Sequence, residues 1–199
     1  MSKEMPTQRR SYRQICTAFD RGQMAYTVEL CKKHLQQFPD DFAAWIWKGM
    51  AHTELHQYAK AEQSIRRGIA LFPKKRLEVA YVQMGSLFEA KNDFKNAALW
   101  YRRASHHDPK NATYHIYLGS ISFRQGRFNA AESHYRRALK CSDGSIEEAQ
   151  FNLGGIMLTK GRYKEAIDCY QRAIVIDPNY NIAKRQLADA TLALRTMTP

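Results

Sequence analysis

Cysteine is scarce in this 199-residue chain, and the four present, Cys16, Cys31, Cys141 and Cys169, stand far apart. They form no CxxC pair and no knuckle spacing, which argues against a zinc ribbon and a small disulfide scaffold. They read as small apolar residues packed between helices. Proline and glycine are sparse too, at 6 and 10 residues, and most fall at regular places. No apolar run approaches the length of a membrane span. The opening MSKEMPTQRRSYRQ has basic residues with no apolar run after them, unlike a secretory signal. The chain therefore reads as cytoplasmic.

Acidic residues are also in short supply, 19 against 31 basic ones, leaving a net charge of +12. The excess is spread over most of the chain, and only 147–180 is acidic on balance. Such a balance favours an acidic partner without choosing among protein, nucleic acid and anionic lipid. Catalytic patterns are missing: there is no Gly-rich phosphate loop, nucleophile elbow or pair of catalytic carboxylates. His52 and His56 share the stretch HTELH, but the metalloprotease order needs Glu directly after the first His. No catalytic residue, metal ligand or cofactor is expected, and the two histidines read as surface residues.

What is present is a repeat built from helix formers. YRRAS at Tyr101 recurs as YRRAL at Tyr135, with weaker copies at Ile65 (IRRGI) and Tyr170 (YQRAI). Aligned on these copies, four units begin at Phe42, Glu78, Ala112 and Glu147, with steps of 36, 34 and 35 residues. Gly49, Gly85, Gly119 and Gly154 form one column, in the middle of a first helix. Glycine there is unfavourable by up to about 1 kcal/mol, so four in register imply close packing. Ala61, Ala97, Ala131 and Ala166 supply a small face on a second helix, and Gly68, Ala104, Ala138 and Ala173 a further one. His56, Asn92, Gly126 and Gly161 stand between the helices, three of them residues that accept a left-handed turn. Pro73, Pro109 and Pro178 end the second helices; Asp143 replaces proline in the third unit, where Ser145 and Glu148 predict a capping box.

The pattern W-x2-L-G-x2-Y, then A-x3-F, A and P at a 34-residue period, resembles the tetratricopeptide repeat. Leu153, Gly154, Ala166, Tyr170, Ala173 and Pro178 match it best, and Trp45 supplies its tryptophan, although Lys48 stands where Leu is usual. The resemblance implies an all-α, right-handed solenoid of stacked helix-turn-helix repeats over 42–77, 78–111, 112–146 and 147–180. Residues 1–7 are expected as a flexible tail, 8–41 as a degenerate capping repeat, and 181–199 as a capping helix.

In the family, the second, fifth, ninth and twelfth positions of the first helix commonly face a concave groove. The expected lining here includes Ile46, Met50, Val82, Ser86, Ile116, Ser120, Phe123 and Phe151, with Asn152 at the sixth position of the last unit. These residues do not match the Lys and Asn of chaperone-tail clamps. They suit a partner peptide or helix held through apolar pockets. About half of the groove positions would equally serve to pack neighbouring helices. Arg66, Arg67, Arg102, Arg103, Arg136, Arg137 and Arg172 predict a basic stripe on the second helices, either a solvated face or a site for an acidic protein surface. Nucleic acid ranks behind protein, because Tyr101 and Tyr135 are assigned to the core and cannot also stack on bases. Self-association through the solenoid ends is a third expectation. The whole reads as a non-enzymatic adaptor or scaffold within a larger assembly.

Overall fold

The computed structural model describes residues 5–73 and 76–197. Among them are eleven α-helices: α1 (Met5–Asp20), α2 (Met24–Gln37), α3 (Phe42–Glu54), α4 (Tyr58–Leu71), α5 (Leu77–Ala90), α6 (Phe94–His107), α7 (Thr113–Arg124), α8 (Phe128–Ala138), α9 (Ile146–Thr159), α10 (Tyr163–Ile176) and α11 (Asn181–Met197). The chain divides into two compact units after Ala104. In the first, α1 pairs with α2 and α3 with α4, and α1, α3 and α5 follow one another side by side. In the second, α7 pairs with α8 and α9 with α10, α9 lies against α7, and α11 packs on α10.

Each hairpin is closed by the same turn. Gly22, His56, Asn92, Gly126 and Gly161 all take the left-handed conformation. The next amide then reaches back five residues: Gln57 N–H donates to His52 O at 2.9 Å, Asp93 to Phe88 at 2.8 Å and Arg162 to Met157 at 2.9 Å. This is the bonding of a Schellman closure, which satisfies helix-end carbonyls that would otherwise be orphaned. His56 adopts the turn despite its side chain, and its Nδ1 lies 3.0 Å from the Tyr58 hydroxyl.

The glycine column is explained by the tyrosines of the YRRA copies. A methyl group at Gly154 would lie 2.7 Å from Cε1 of Tyr170, and the rings of Tyr101 and Tyr135 cover Gly85 and Gly119 at least as closely. Ile65 takes the same place over Gly49. All three tyrosines are buried, as are Ala61, Ala97, Ala131 and Ala166. Burial pushes the Tyr170 hydroxyl up to about 12. Cys31 and Cys169 are buried free thiols, pushed up by the same cause to about 12 and about 11.

Three expectations are corrected. Of residues 1–7, expected as a flexible tail, 1–4 lie outside the described residues and 5–7 belong to α1. A proline at position 6 suits that first turn, where an N–H has no helical partner anyway. His52 is buried, not on the surface, with Nδ1 2.9 Å from Gln57 Oε1. The capping box is absent, since Ser145 makes no side-chain bond to the helix it precedes. Glu148 takes its hydrogen bond from Asn152, one turn further on. The approach to α9 is held instead by Asp143, whose carbonyl accepts from Ala112 N–H at 2.8 Å and whose N–H donates to Lys110 O at 3.1 Å.

Gly154 and Gly155 are neighbours with opposite surroundings. A methyl at Gly155 would meet nothing nearer than the Tyr170 hydroxyl at 4.0 Å. Gly154→Ala is expected to destabilise by about 1–3 kcal/mol through overpacking. Gly155→Ala should stabilise by up to about 1 kcal/mol through helix propensity. Urea unfolding of the two variants checks the pair, and equal signs would contradict the packing described.

Candidate functional site

The first helices carry the expected groove positions, and the structure sorts them into two groups. Ile46 and Ile116 are buried and do not line a groove. Ile46 fills the space above Gly68, where a methyl would meet its Cδ1 at 2.7 Å. Ile116, only 1% exposed, belongs to the core of the second unit with Ala138, Ala149 and Leu153. In both cases the small column of a second helix admits the isoleucine, so the fifth position of the first helix turns inward. Met50 and Val82 are half-buried, Ser86 is exposed, and Ser120, Phe151 and Asn152 are half-buried. Phe123 is 44% exposed and lies against Phe128, with ring centroids 5.6 Å apart. Phe151 sits between Tyr170 and Tyr180, at 5.7 and 5.2 Å.

Two expected groove residues have a second role. Ser86 Oγ lies 3.3 Å from the Tyr101 hydroxyl, and Ser120 Oγ lies 3.3 Å from that of Tyr135. The Tyr101 hydroxyl also donates to Glu89 at 2.9 Å. In α9 the equivalent position is Gly155, so no serine meets the Tyr170 hydroxyl. Beside it, burial raises Glu148 above the ordinary carboxylate range, the neighbouring Glu147 carboxylate adds to the rise, and Asn152 opposes it.

In the first unit, a cavity of about 670 Å³ opens between α1 and the start of α3, lined by Gln8, Arg9, Tyr12, Phe38, Asp41 and Phe42, among others. Its wall is braced by a polar chain that sequence reading missed. His34, 2% exposed, has Nε2 3.0 Å from Asp41 Oδ2 and Nδ1 2.8 Å from Ser11 Oγ. Nε2–H donates to the Asp41 carboxylate, and the Ser11 hydroxyl also reaches Gln8 O at 3.1 Å. Asp41 also accepts from Ala44 N–H at 3.1 Å and Gln8 Nε2 at 3.3 Å. A serine, a histidine and an aspartate in line invite a catalytic reading. However, the histidine is enclosed, and Ser11 lies inside a helix with Oγ 3.1 Å from Gln8 O. What the chain does is fasten α1, α2 and α3 together. Desolvation works against Asp41, yet the bonds from Ala44, His34 and Gln8 prevail and hold it below the usual carboxylate range.

All seven arginines of the expected stripe are exposed. Several are answered within their own unit. Arg66 pairs with Glu62 at 2.8 Å, Arg136 with Glu132 at 2.9 Å and Arg172 with Asp168 at 2.9 Å, each across one helical turn. Arg67 lies 3.5 Å from Asp40, and Arg103 stacks over Trp100 at 4.3 Å. Arg102 and Arg137 complete the set. Among the described residues no group of three or more His, Cys, Asp or Glu could hold a metal ion, and no helix is long and apolar enough to cross a membrane.

Helix pairs repeated with one turn geometry and one glycine–ring contact define a helical repeat protein. Three family models described as tetratricopeptide repeat match residues 42–75, 80–113 and 110–179. The chain belongs to the tetratricopeptide repeat family, whose members are in general protein-interaction scaffolds and typically not enzymes. It is 26% identical over 147 residues to the tetratricopeptide repeat-containing protein trd-1 of Caenorhabditis elegans, covering 73% of this chain and 18% of that one. It is 22% identical over 166 residues to anaphase-promoting complex subunit 3 of Schizosaccharomyces pombe, covering 83% and 24%. The chain thus spans about a quarter or less of these relatives' length. Its fold resembles that of a thermophilic TPR protein of Thermus thermophilus, with a TM-score of 0.63, 22% identity and coverage of 93% and 99%.

The environment of Glu148 generates a signed prediction. A carboxylate whose folded pKa is raised favours the native state in its protonated form. Stability is therefore lost as pH rises from the unfolded value, about 4.3, through the raised one. Glu148→Gln keeps the acceptor for Asn152 and removes the charge. The variant should be more stable than the parent at neutral pH, and the gap should close below about pH 4. Thermal melts across this range check it.

Proposed function

We infer that this chain is a protein-binding adaptor whose first helices present the contact face in each unit. The observation that carries the reading is the side-chain content of that face. Phe123 is left 44% exposed on α7, and Met50 and Val82 are half-buried on α3 and α5. Apolar side chains left uncovered by their own fold gain free energy when a partner removes them from water, at roughly 25 cal/mol per Å². Rigid, preformed helices also lose little conformational entropy on binding. The partner is then a peptide or helix that offers apolar anchors to the first-helix face of either unit. One relative being a subunit of the anaphase-promoting complex agrees with a role inside a larger assembly. The free cysteines agree with a reducing, cytoplasmic setting.

A stripe of second-helix arginines serving nucleic acid or an acidic surface is the weaker reading, since Arg66, Arg136 and Arg172 already have carboxylate partners. The test compares the intact chain with Met50→Glu, Val82→Glu, Phe123→Glu as baits in native extract, after circular dichroism shows equal helicity. Ile46 and Ile116 are left alone because they are core. A partner bound in moderate salt by the intact chain, and weakened about tenfold or more in the variant, is expected. Partners held equally by both baits and stripped by salt would overturn the reading.

A further inference from the structure

The positive charge of the chain is answered unevenly. On the second helices Arg66, Arg136 and Arg172 meet carboxylates from the preceding turn and Arg103 lies on an aromatic face, with Arg102 and Arg137 exposed beside them. Glu132 alone gathers Arg136, Lys160 and Arg162. The α1–α2 hairpin is different. Arg10 and Arg13 are spaced to share a face of α1, with Arg21 just beyond its end, and all three line one cavity of about 300 Å³. Of the acids in this repeat, Glu29 holds Lys32 at 2.7 Å and Asp41 holds His34 at 3.0 Å, while Asp20 is exposed next to Arg21. Among the described residues no carboxylate lies within ion-pair distance of these three arginines.

The floor of this cavity is apolar. Ala18 is buried, Leu30 is half-buried, and Tyr26 stands at the rim with 56% of its surface exposed. Gln14 and Gln23 lie among the arginines and offer amide donors and acceptors. All lining residues belong to α1, α2 and their connection, so the cleft is separate from the first-helix face of α3 and α5.

The geometry points to this cleft as the seat of an acidic peptide segment that carries one aliphatic side chain. From Arg10 to Arg21 the helical rise is about 16 Å, too long for one phosphate and suited to several carboxylates in succession. Guanidinium forks bind carboxylates with paired hydrogen bonds. The pocket between Ala18, Leu30 and Tyr26 takes the aliphatic group, and the two glutamines bond the peptide backbone. A nucleic-acid strand supplies no such group, and Tyr26 alone is a single stacking surface. That comparison favours the peptide.

The test titrates the full chain into a fluorescein-labelled synthetic peptide of alternating Glu and Asp with one central leucine, read by anisotropy near physiological salt. Arg13→Glu with Arg21→Glu should weaken binding about tenfold or more. Arg66→Glu with Arg136→Glu should change it less than about threefold, and so should Met50→Glu with Val82→Glu. Replacing the peptide's leucine by glycine should cost about tenfold. Arg13→Gln with Arg21→Gln is the fallback if the charge-reversed chain loses helicity. Equal losses in the α1 and second-helix pairs would overturn the proposal, because they would mean diffuse attraction to a basic protein. Tighter binding of an oligothymidine, or of phosphatidylserine vesicles, with displacement of the peptide would overturn it as well.

Discussion

The contact between a first-helix glycine and the second-helix ring sixteen residues later sets the geometry of every repeat with that tyrosine. Close-packed interiors tolerate little change in volume, and here a ring lies where a single β-carbon would have been. Because the ring rests directly on backbone, the two helices approach with almost nothing between them. That proximity in turn requires the alanine column, since Ala61, Ala97, Ala131 and Ala166 are fully buried on the same helices. The tyrosine hydroxyl then emerges at the level of the ninth position of the first helix. Ser86 and Ser120 receive it there, and Gly155 does not. Packing inside the repeat therefore decides which hydrogen-bonding groups reach the first-helix surface.

The turn is the second constraint, and it is backbone chemistry. A Schellman closure needs one left-handed residue and an amide donor after it. Five hairpins meet the requirement with glycine, asparagine or histidine at the left-handed place. For His56 the conformation is strained for a side chain of that size, and the Tyr58 hydroxyl is its neighbour at 3.0 Å. The Asp143 loop departs from the pattern where proline is missing, and there the chain is held by two backbone bonds to the residues before α7.

Most of the architecture was legible because the repeat turns three-dimensional contacts into columns. Glycine, alanine and tyrosine recur at fixed offsets, and each offset is a contact distance in disguise. The site was legible only in part, and the failures have a common form. Ile46 and Ile116 satisfy the groove spacing, but whether a fifth-position side chain turns inward depends on the partner helix, where Gly68 and Ala138 leave room. The Ser11–His34–Asp41 chain joins residues separated by 23 and 7 positions in the degenerate repeat, where no column exists to announce it. The capping box failed because Ser145 makes no side-chain bond to α9 and Glu148 is bonded by Asn152 instead. Periodicity reports what every repeat shares, and these features belong to one repeat each.

Charge shows the same division between shared and singular features. The arginine pair of YRRA recurs, yet Glu62, Glu132 and Asp168 stand one turn before Arg66, Arg136 and Arg172, and only Arg102 has an alanine there, Ala98. A solvated pair of that kind contributes about 0.3–0.5 kcal/mol to its helix and leaves little net field for a partner. Arg10, Arg13 and Arg21 lie in the repeat that matches the family least, and their charge is left facing solvent beside an apolar floor. In a protein whose repeats are specified by packing, surface freedom is greatest where the repeat is weakest. The N-terminal hairpin lacks the glycine–tyrosine contact, and its helices are fastened to each other and to the start of α3 by the Ser11–His34–Asp41 chain, so its α1 surface escapes the spacing rules that govern the other helices.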